Sequence, residues 1–313
     1  MDPGDVKKTL VVGAGVMGFS ISLTLARVGI EVALADVDDQ VLSHALQLIE
    51  ASLEVLTESG KVDRDDVEAI LDRIHTSTDL EAASEGADFV IEAVPEVPEI
   101  KKEIFTRLSE LCPGDVVIAS NTSGLDIFDF AEVSNPGRLV IAHWFNPPHI
   151  IPLVEVVPGP LTAPEAVEFT ASFMERLGKV PVVMKGFTRA FIVNKIQNFI
   201  SMAVFDLLGS GLATPEDIDK AVKSSIGIRM PVIGVVQSMD FTGLDLALDV
   251  IKSYGLSVPF IEKKVNEGRL GVKTAKGIYE YGGRGELEIL AKRDRLFLEL
   301  LDRLDEMGTF NPV

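Results

Sequence analysis

Cysteine is almost absent: Cys112 is the only one in 313 residues. No disulfide can form within the chain, and a reducing compartment, the cytoplasm, is the expectation. Basic residues are scarce beside acidic ones, 29 against 48, for a net charge of −19. Such a surface repels phosphate backbones and anionic headgroups, so neither nucleic acid nor a membrane is an expected partner. An anionic substrate would need a basic patch of its own. Long uninterrupted apolar runs are also missing. The longest apolar region, residues 191–213, contains Asn194, Lys195, Asn198 and Asp206, which fits a buried helix and not a membrane span. The opening residues MDPGDVKKTLVVGAG hold no apolar stretch with a cleavage site, so no secretory signal is expected. Histidine is limited to four residues, and no metal is expected.

What is present is a soluble, two-domain composition, 47% hydrophobic and 25% charged. Residues 9–13, 31–35, 87–93, 116–120, 139–142, 154–157 and 180–184 read as short apolar strands. Helical patterns lie between many of them, at 16–28, 40–58, 63–72, 100–111 and 127–131; none is assigned between 157 and 180. Alternation of this kind predicts an α/β fold with a doubly wound, mostly parallel sheet of Rossmann type. After Lys185 strand-like runs stop, and helical patterns at 190–209, 215–225, 243–253 and 286–307 predict a second, all-helical domain. The boundary is placed near Gly186–Thr188, giving domains 1–187 and 188–313. The tail helix, with Leu287, Leu290, Phe297, Leu300, Leu301 and Leu304 at helical spacing, is read as packing against its own domain or a second subunit.

Gly13-Ala14-Gly15-Val16-Met17-Gly18 fits G-x-G-x-x-G. It follows a strand, opens a helix, and is followed by an acid, Asp36, at the end of the next strand. The glycines allow a tight turn, close approach of a pyrophosphate, and close helix–strand packing, with the helix N-terminus facing the phosphates. Asp36 would accept bonds from the ribose hydroxyls and repel a 2′-phosphate, so NAD is expected and not NADP.

Hydride transfer from an alcohol requires a base for the hydroxyl proton, and histidine suits that task near neutral pH. His44 lies among polar positions of a helix and His75 opens a peripheral strand-like run. His143 and His149 flank Trp144-Phe145-Asn146-Pro147-Pro148, just beyond the strand at 139–142. Doubly wound folds bind ligands at that end of the sheet, and His143, nearer the strand end, is the leading candidate. A catalytic histidine also needs an orienting partner. Glu155, a carboxylate inside the apolar run Leu153–Val157, is the candidate, because burying it unpaired would be costly.

Together with GAGVMG at 13–18 and His143-Trp144-Phe145-Asn146-Pro147, four further segments carry a resemblance. They are Ala119-Ser120-Asn121-Thr122-Ser123, Leu153-Val154-Glu155-Val156, Phe191-Ile192-Val193-Asn194 and Lys273-Thr274-Ala275-Lys276-Gly277-Ile278-Tyr279. In this order and spacing, over roughly residues 7–283, the chain resembles the 3-hydroxyacyl-CoA dehydrogenases. The resemblance implies His143 as base, Glu155 as its partner, Ser123 beside both substrate and nicotinamide, and Asn194 holding the substrate. It implies cofactor contacts at Glu96, Lys101 and Lys273, and a homodimer formed through the helical domain. Ser52 matches a serine that holds CoA. No lysine lies within 40–58 to accompany it, and Lys61 is the nearest. Arg189-Ala190 stands where the family usually has Pro-Gly. Ile150-Ile151-Pro152-Leu153 and Gly227-Ile228-Arg229-Met230 look closer to relatives that oxidise free hydroxy acids, the L-gulonate and carnitine dehydrogenases; Phe241–Asp245 and Lys273–Tyr279 look closer to the acyl-CoA enzymes. The leading expectation is NAD-dependent oxidation of a short-chain L-3-hydroxyacyl-CoA. Oxidation of gulonate or carnitine is the alternative, and a protein that binds NAD without turnover is the remaining class.

Overall fold

The structure, a computed structural model, describes residues 2–309. These divide into two compact units, one ending at Phe199 and the other beginning at Ile200. In the first unit, β1 (Lys8–Val12) leads through α1 (Gly18–Arg27) to β2 (Glu31–Ala35). The chain continues as α2 (Asp39–Glu58), α3 (Val67–Leu71), β3 (Ile74–Ser77), α4 (Leu80–Ser84), β4 (Phe89–Glu92), α5 (Pro98–Leu111) and β5 (Val117–Ser120). Then come β6 (Leu139–Trp144), β7 (Leu153–Pro158), α6 (Pro164–Arg176), β8 (Val180–Val183) and α7 (Val193–Ser210), inside which the two units divide.

The eight strands form one sheet in the order β3-β2-β1-β4-β5-β6-β7-β8. All neighbours are parallel except β6 and β7, which are antiparallel. The central strands β4, β5 and β6 are buried on both faces, which is why they read as nearly continuous apolar runs and not as alternation, whereas the edge strands β3 and β8 are largely exposed. Helix α1 is buried over Gly18–Ala26 and packs in the same core as Trp144, Phe173 and Met174. Helix α6 occupies the stretch for which the sequence reading assigns no element. Its signals are Pro164 in the first turn and apolar residues at 166, 169, 173 and 174. Phe173 meets Phe89 of the sheet with ring centroids 4.8 Å apart.

Among the described residues, the second unit is built of helices, with only isolated bridges at Gly271–Lys276 and Lys276–Glu280. Besides the remainder of α7 it holds α8 (Pro215–Ala221), α9 (Gly227–Thr242), α10 (Leu244–Ser253), α11 (Pro259–Asn266) and α12 (Glu286–Glu306). Helices α9 and α11 are additions to the sequence reading; Pro231 and a kink at Gly234 hide the period of α9. Asp240, 1% exposed, accepts bonds from Ile278 N, Tyr279 N and Tyr281 Oη, and so folds the turn at 276–281 onto α9. Burial and the Asp240 charge push the Tyr281 phenol well above its ordinary range. Among the described residues, no helix is long and apolar enough to cross a membrane.

The approach to α7 carries backbone strain. Ala190 (φ 64°) and Phe191 (φ 48°) both sit in the left-handed region, where a Cβ costs about 1–2 kcal/mol. This is the position at which Arg189-Ala190 replaces the Pro-Gly of the resembling family, so the part of the strain that lies at Ala190 falls where that family has a glycine. Ala190→Gly is expected to stabilise the chain by about 0.5–1 kcal/mol, the relief of strain outweighing the added freedom of the unfolded state. The urea midpoint checks this, and a fall in the midpoint contradicts it.

Candidate active site

At the C-terminal end of β1, the turn 13–18 is closed on two sides and open on the third. A Cβ on Gly18 would lie 1.7 Å from Gly13 O, and one on Gly13 (φ +99°) 2.6 Å from Ala93 O. A Cβ on Gly15 would meet nothing within 4 Å. Gly15 therefore borders free space in front of α1, where Phe19 N and Ile21 N already donate to Gly15 O and Met17 O and the backbone of the turn itself faces the opening. Asp36, at the end of β2, accepts a bond from Ala14 N at 2.8 Å and stays partly exposed. A cavity of about 560 Å³ opens beside it, lined by Gly13, Gly15, Val16, Met17, Asp36 and the apolar side chains of Val41, Leu80, Ile100 and Ile104. Backbone donors, one carboxylate and an apolar wall suit the pyrophosphate, ribose and adenine of a dinucleotide in turn.

Across the sheet, the antiparallel register of β6 and β7 sets His143 directly opposite Glu155. His143 Nδ1 lies 2.9 Å from Glu155 Oε2, and both side chains are buried. The other carboxylate oxygen accepts Ile192 N at 2.9 Å and Val193 N at 3.0 Å, at the start of α7. With Nδ1–H donating to the carboxylate, Nε2 is left as the unprotonated nitrogen. Phe145 and Phe191, with centroids 4.5 and 5.3 Å from the imidazole, fix its plane.

Asn194, three residues beyond Phe191, donates from Nδ2 to Ser123 O at 3.2 Å. Ser123 N in turn donates to Glu96 Oε1 at 2.8 Å, as does Thr122 Oγ1 at 2.6 Å. His143, Glu155, Asn194, Ser123 and Glu96 thus belong to one connected group. Burial raises the Glu96 carboxyl, but the Thr122 hydroxyl, the Lys101 charge and the Ser123 amide outweigh it and hold it below its ordinary range. Lys101 is 1% exposed; its ammonium lies 2.7 Å from Glu92 Oε1 and 3.3 Å from Glu96 Oε2, and also donates to Val94 O. Glu92 is absent from the candidates drawn from sequence. It is fully buried at the end of β4, where it accepts bonds from Lys101, Ser120 Oγ and Val94 N. Burial pushes its carboxyl up, against the pull of Lys101. The signal that points to Glu155, a carboxylate within an apolar run, is present in Phe89-Val90-Ile91-Glu92 as well.

Other candidates lie elsewhere. Ser52 is half-buried in α2, its hydroxyl donating to Leu48 O. Lys61 is exposed just beyond the C-terminus of α2. Lys273 belongs to the second unit, where it pairs with Asp245 at 2.5 Å and holds that carboxyl below its ordinary range. His44 is exposed on α2, and His75 pairs with Glu31 at 3.0 Å. The His149 ring nitrogen Nδ1 lies 2.7 Å from Ser20 Oγ.

Comparison with known proteins agrees with these features. The family model described as 3-hydroxyacyl-CoA dehydrogenase, NAD binding domain, matches residues 8–187, and its C-terminal domain counterpart matches 191–281. The chain is 31% identical over 298 residues to a 5-formyl-3-hydroxy-2-methylpyridine 4-carboxylate 5-dehydrogenase of Mesorhizobium japonicum, covering 93% of this chain and 96% of that one. It is 34% identical over 287 residues to a probable 3-hydroxybutyryl-CoA dehydrogenase of Bacillus subtilis, covering 88% and 98%. Among solved structures, a 3-hydroxyacyl-CoA dehydrogenase from Archaeoglobus fulgidus superposes with a TM-score of 0.80 at 30% identity, over 96% of this chain and 99% of that one. From its glycine turn to the end of its helical unit's matched segment, the chain belongs to the 3-hydroxyacyl-CoA dehydrogenase family and is an NAD-dependent dehydrogenase.

Proposed function

We propose that the chain oxidises a short-chain L-3-hydroxyacyl-CoA, such as 3-hydroxybutyryl-CoA, to the 3-oxoacyl-CoA, with His143 as the general base. The observation that carries the chemistry is the His143–Glu155 pair, 2.9 Å apart and buried. Bound NAD supplies the hydride acceptor. His143 Nε2 takes the proton of the substrate hydroxyl as the carbon–hydrogen bond breaks. Glu155, held by two backbone amides, stabilises the imidazolium that forms and keeps the ring in the productive tautomer. Ser123 and Asn194 position the substrate oxygens, so part of the rate comes from orientation. Ser52 and Lys61 are the proposed contacts to CoA. Asp36 selects NAD through the ribose hydroxyls, and Glu96, Lys101 and Lys273 support the cofactor site, Lys101 through its bonds to Glu92 and Glu96. The second domain, taken as residues 188–313, contributes to substrate binding and a homodimer. Phe199, Met202 and Phe205 on α7, each about two-thirds exposed, suit such an interface. The enzyme is proposed to work in the cytoplasm.

The second reading is the same chemistry on a free hydroxy acid, L-gulonate or carnitine. It is favoured by the Ile150–Leu153 and Gly227–Met230 segments and by the Mesorhizobium relative, whose name carries no thioester.

Three outcomes are expected. His143→Gln lowers kcat by roughly two to four decades with little change in NAD affinity, and Glu155→Gln lowers it nearly as far; full activity in the second variant would make the carboxylate purely structural. Wild-type protein prefers NAD over NADP, and Asp36→Ala erodes that preference mainly by weakening NAD binding; equal use of both cofactors by the wild type contradicts the role of Asp36. In a panel followed at the NADH absorbance band, 3-hydroxybutyryl-CoA has a higher kcat/KM than L-gulonate or carnitine. Efficient turnover of either free acid, with the thioester ignored, transfers the assignment to the second reading.

A further inference from the structure

A second polar pocket, of about 470 Å³, lies within the first unit and apart from the glycine turn. It is enclosed by the C-terminal part of α1, the α2–α3 junction, and the segments 149–152 and 177–179. Three cations line it: Arg27, Lys61 and Lys179. None of the three has a carboxylate within ion-pair distance among the described residues. In a chain with 48 acidic residues against 29 basic ones, three unpaired cations around one pocket call for a reason.

Their neighbours do not provide one. Arg27 reaches only two carbonyls, His149 O at 3.4 Å and Lys61 O at 3.3 Å, both long contacts. Lys179, 9% exposed, donates to Pro148 O and Ile151 O and lies 5.2 Å over the Trp144 ring. Two of its three donors are therefore used, and its charge is not neutralised. Asp63 and Asp66 stand exposed on the rim without pairing to any of the three. The positive field registers on neighbouring groups. Burial, with the charge of Arg27, brings the Lys179 ammonium down to about 8. Burial, with Arg27 and Lys179, pushes the His149 imidazole down. Partly desolvated like charges repel more strongly than they would in water, and an anion bound among them removes that cost.

We infer that the Arg27–Lys61–Lys179 pocket is an anion site that takes a phosphate group. A guanidinium and two ammoniums offer charge-assisted donors from several sides, the pattern that recognises a multiply charged tetrahedral oxyanion. The phosphate is either free or one of those on a CoA thioester. Only in the second case does the site rest on the thioester reading above.

The test is isothermal titration of the full-length protein with inorganic phosphate at constant ionic strength, with chloride as control. The expected result is saturable binding, weakened roughly ten-fold in Arg27→Gln and in Lys61→Gln, the loss of one charge-assisted contact. Lys61 is exposed, so its variant remains decisive should Arg27→Gln fail to fold. Unesterified coenzyme A is then added. Competition, with the same dependence on Arg27, assigns the site to CoA phosphates; undisturbed phosphate binding assigns it to the free anion. Both results support the site. Phosphate heats that do not saturate, or affinities equal in the wild type and both variants, overturn it. Turnover of 3-hydroxybutyryl-CoA is measured in parallel on the wild type, so that the pocket and the thioester reading can fail separately.

Discussion

The carboxylate of Glu155 is the constraint on which the active-site arrangement depends. It is fully buried, and left alone it would cost several kcal/mol. Three donors offset that cost: the His143 ring through one oxygen, and the Ile192 and Val193 amides through the other. At about 1.5–3 kcal/mol for each hydrogen bond to a charged group, the three together are of the same order as that cost. One side chain thereby ties together a strand of the sheet, the imidazole on the neighbouring strand and the start of α7. The left-handed turn at Ala190 and Phe191 immediately precedes these amides.

Glu92 repeats the same solution at the end of β4. Burial raises its carboxyl, and Lys101, Ser120 and Val94 oppose that shift. Lys101 carries the arrangement onward to Glu96, and Glu96 holds the Thr122–Ser123 backbone. The loop bearing Ser123 is thus anchored from beneath by a buried ion pair, as the start of α7, which bears Asn194, is anchored by Glu155. Both anchors hold the backbone behind Ser123 and Asn194 in one position.

Charge is organised locally against the overall balance. The protein is strongly acidic, yet its dinucleotide turn works through backbone donors and its second polar pocket gathers three unpaired cations. Net charge governs long-range attraction and repulsion. Affinity for one anion is set within a few ångströms, where burial strengthens every interaction.

Much of this was legible in the residue order. A mostly parallel Rossmann-type sheet followed by helices could be read from short apolar runs and their helical spacers, because strands buried on both faces leave a strong local signal. The glycine turn with Asp36 was legible for a similar reason: its requirements are steric and lie within a few residues. Helices α4, α6, α9 and α11 lie outside the expectations from residue order: α4 has only five residues, too few to show a period, and Pro231 and Gly234 interrupt α9. Sequence singled out His143 and Glu155 as chemically suited to each other. That they stand opposite depends on β6 and β7 being antiparallel and in one register, and a slip of a single residue would turn the two side chains to opposite faces. The Glu92–Lys101 pair and the meeting of Arg27, Lys61 and Lys179 likewise belong to the tertiary structure alone. Residue order determines which local conformations and chemistries are available to the chain, whereas burial and partnership between distant charges exist only once the strands and helices have packed.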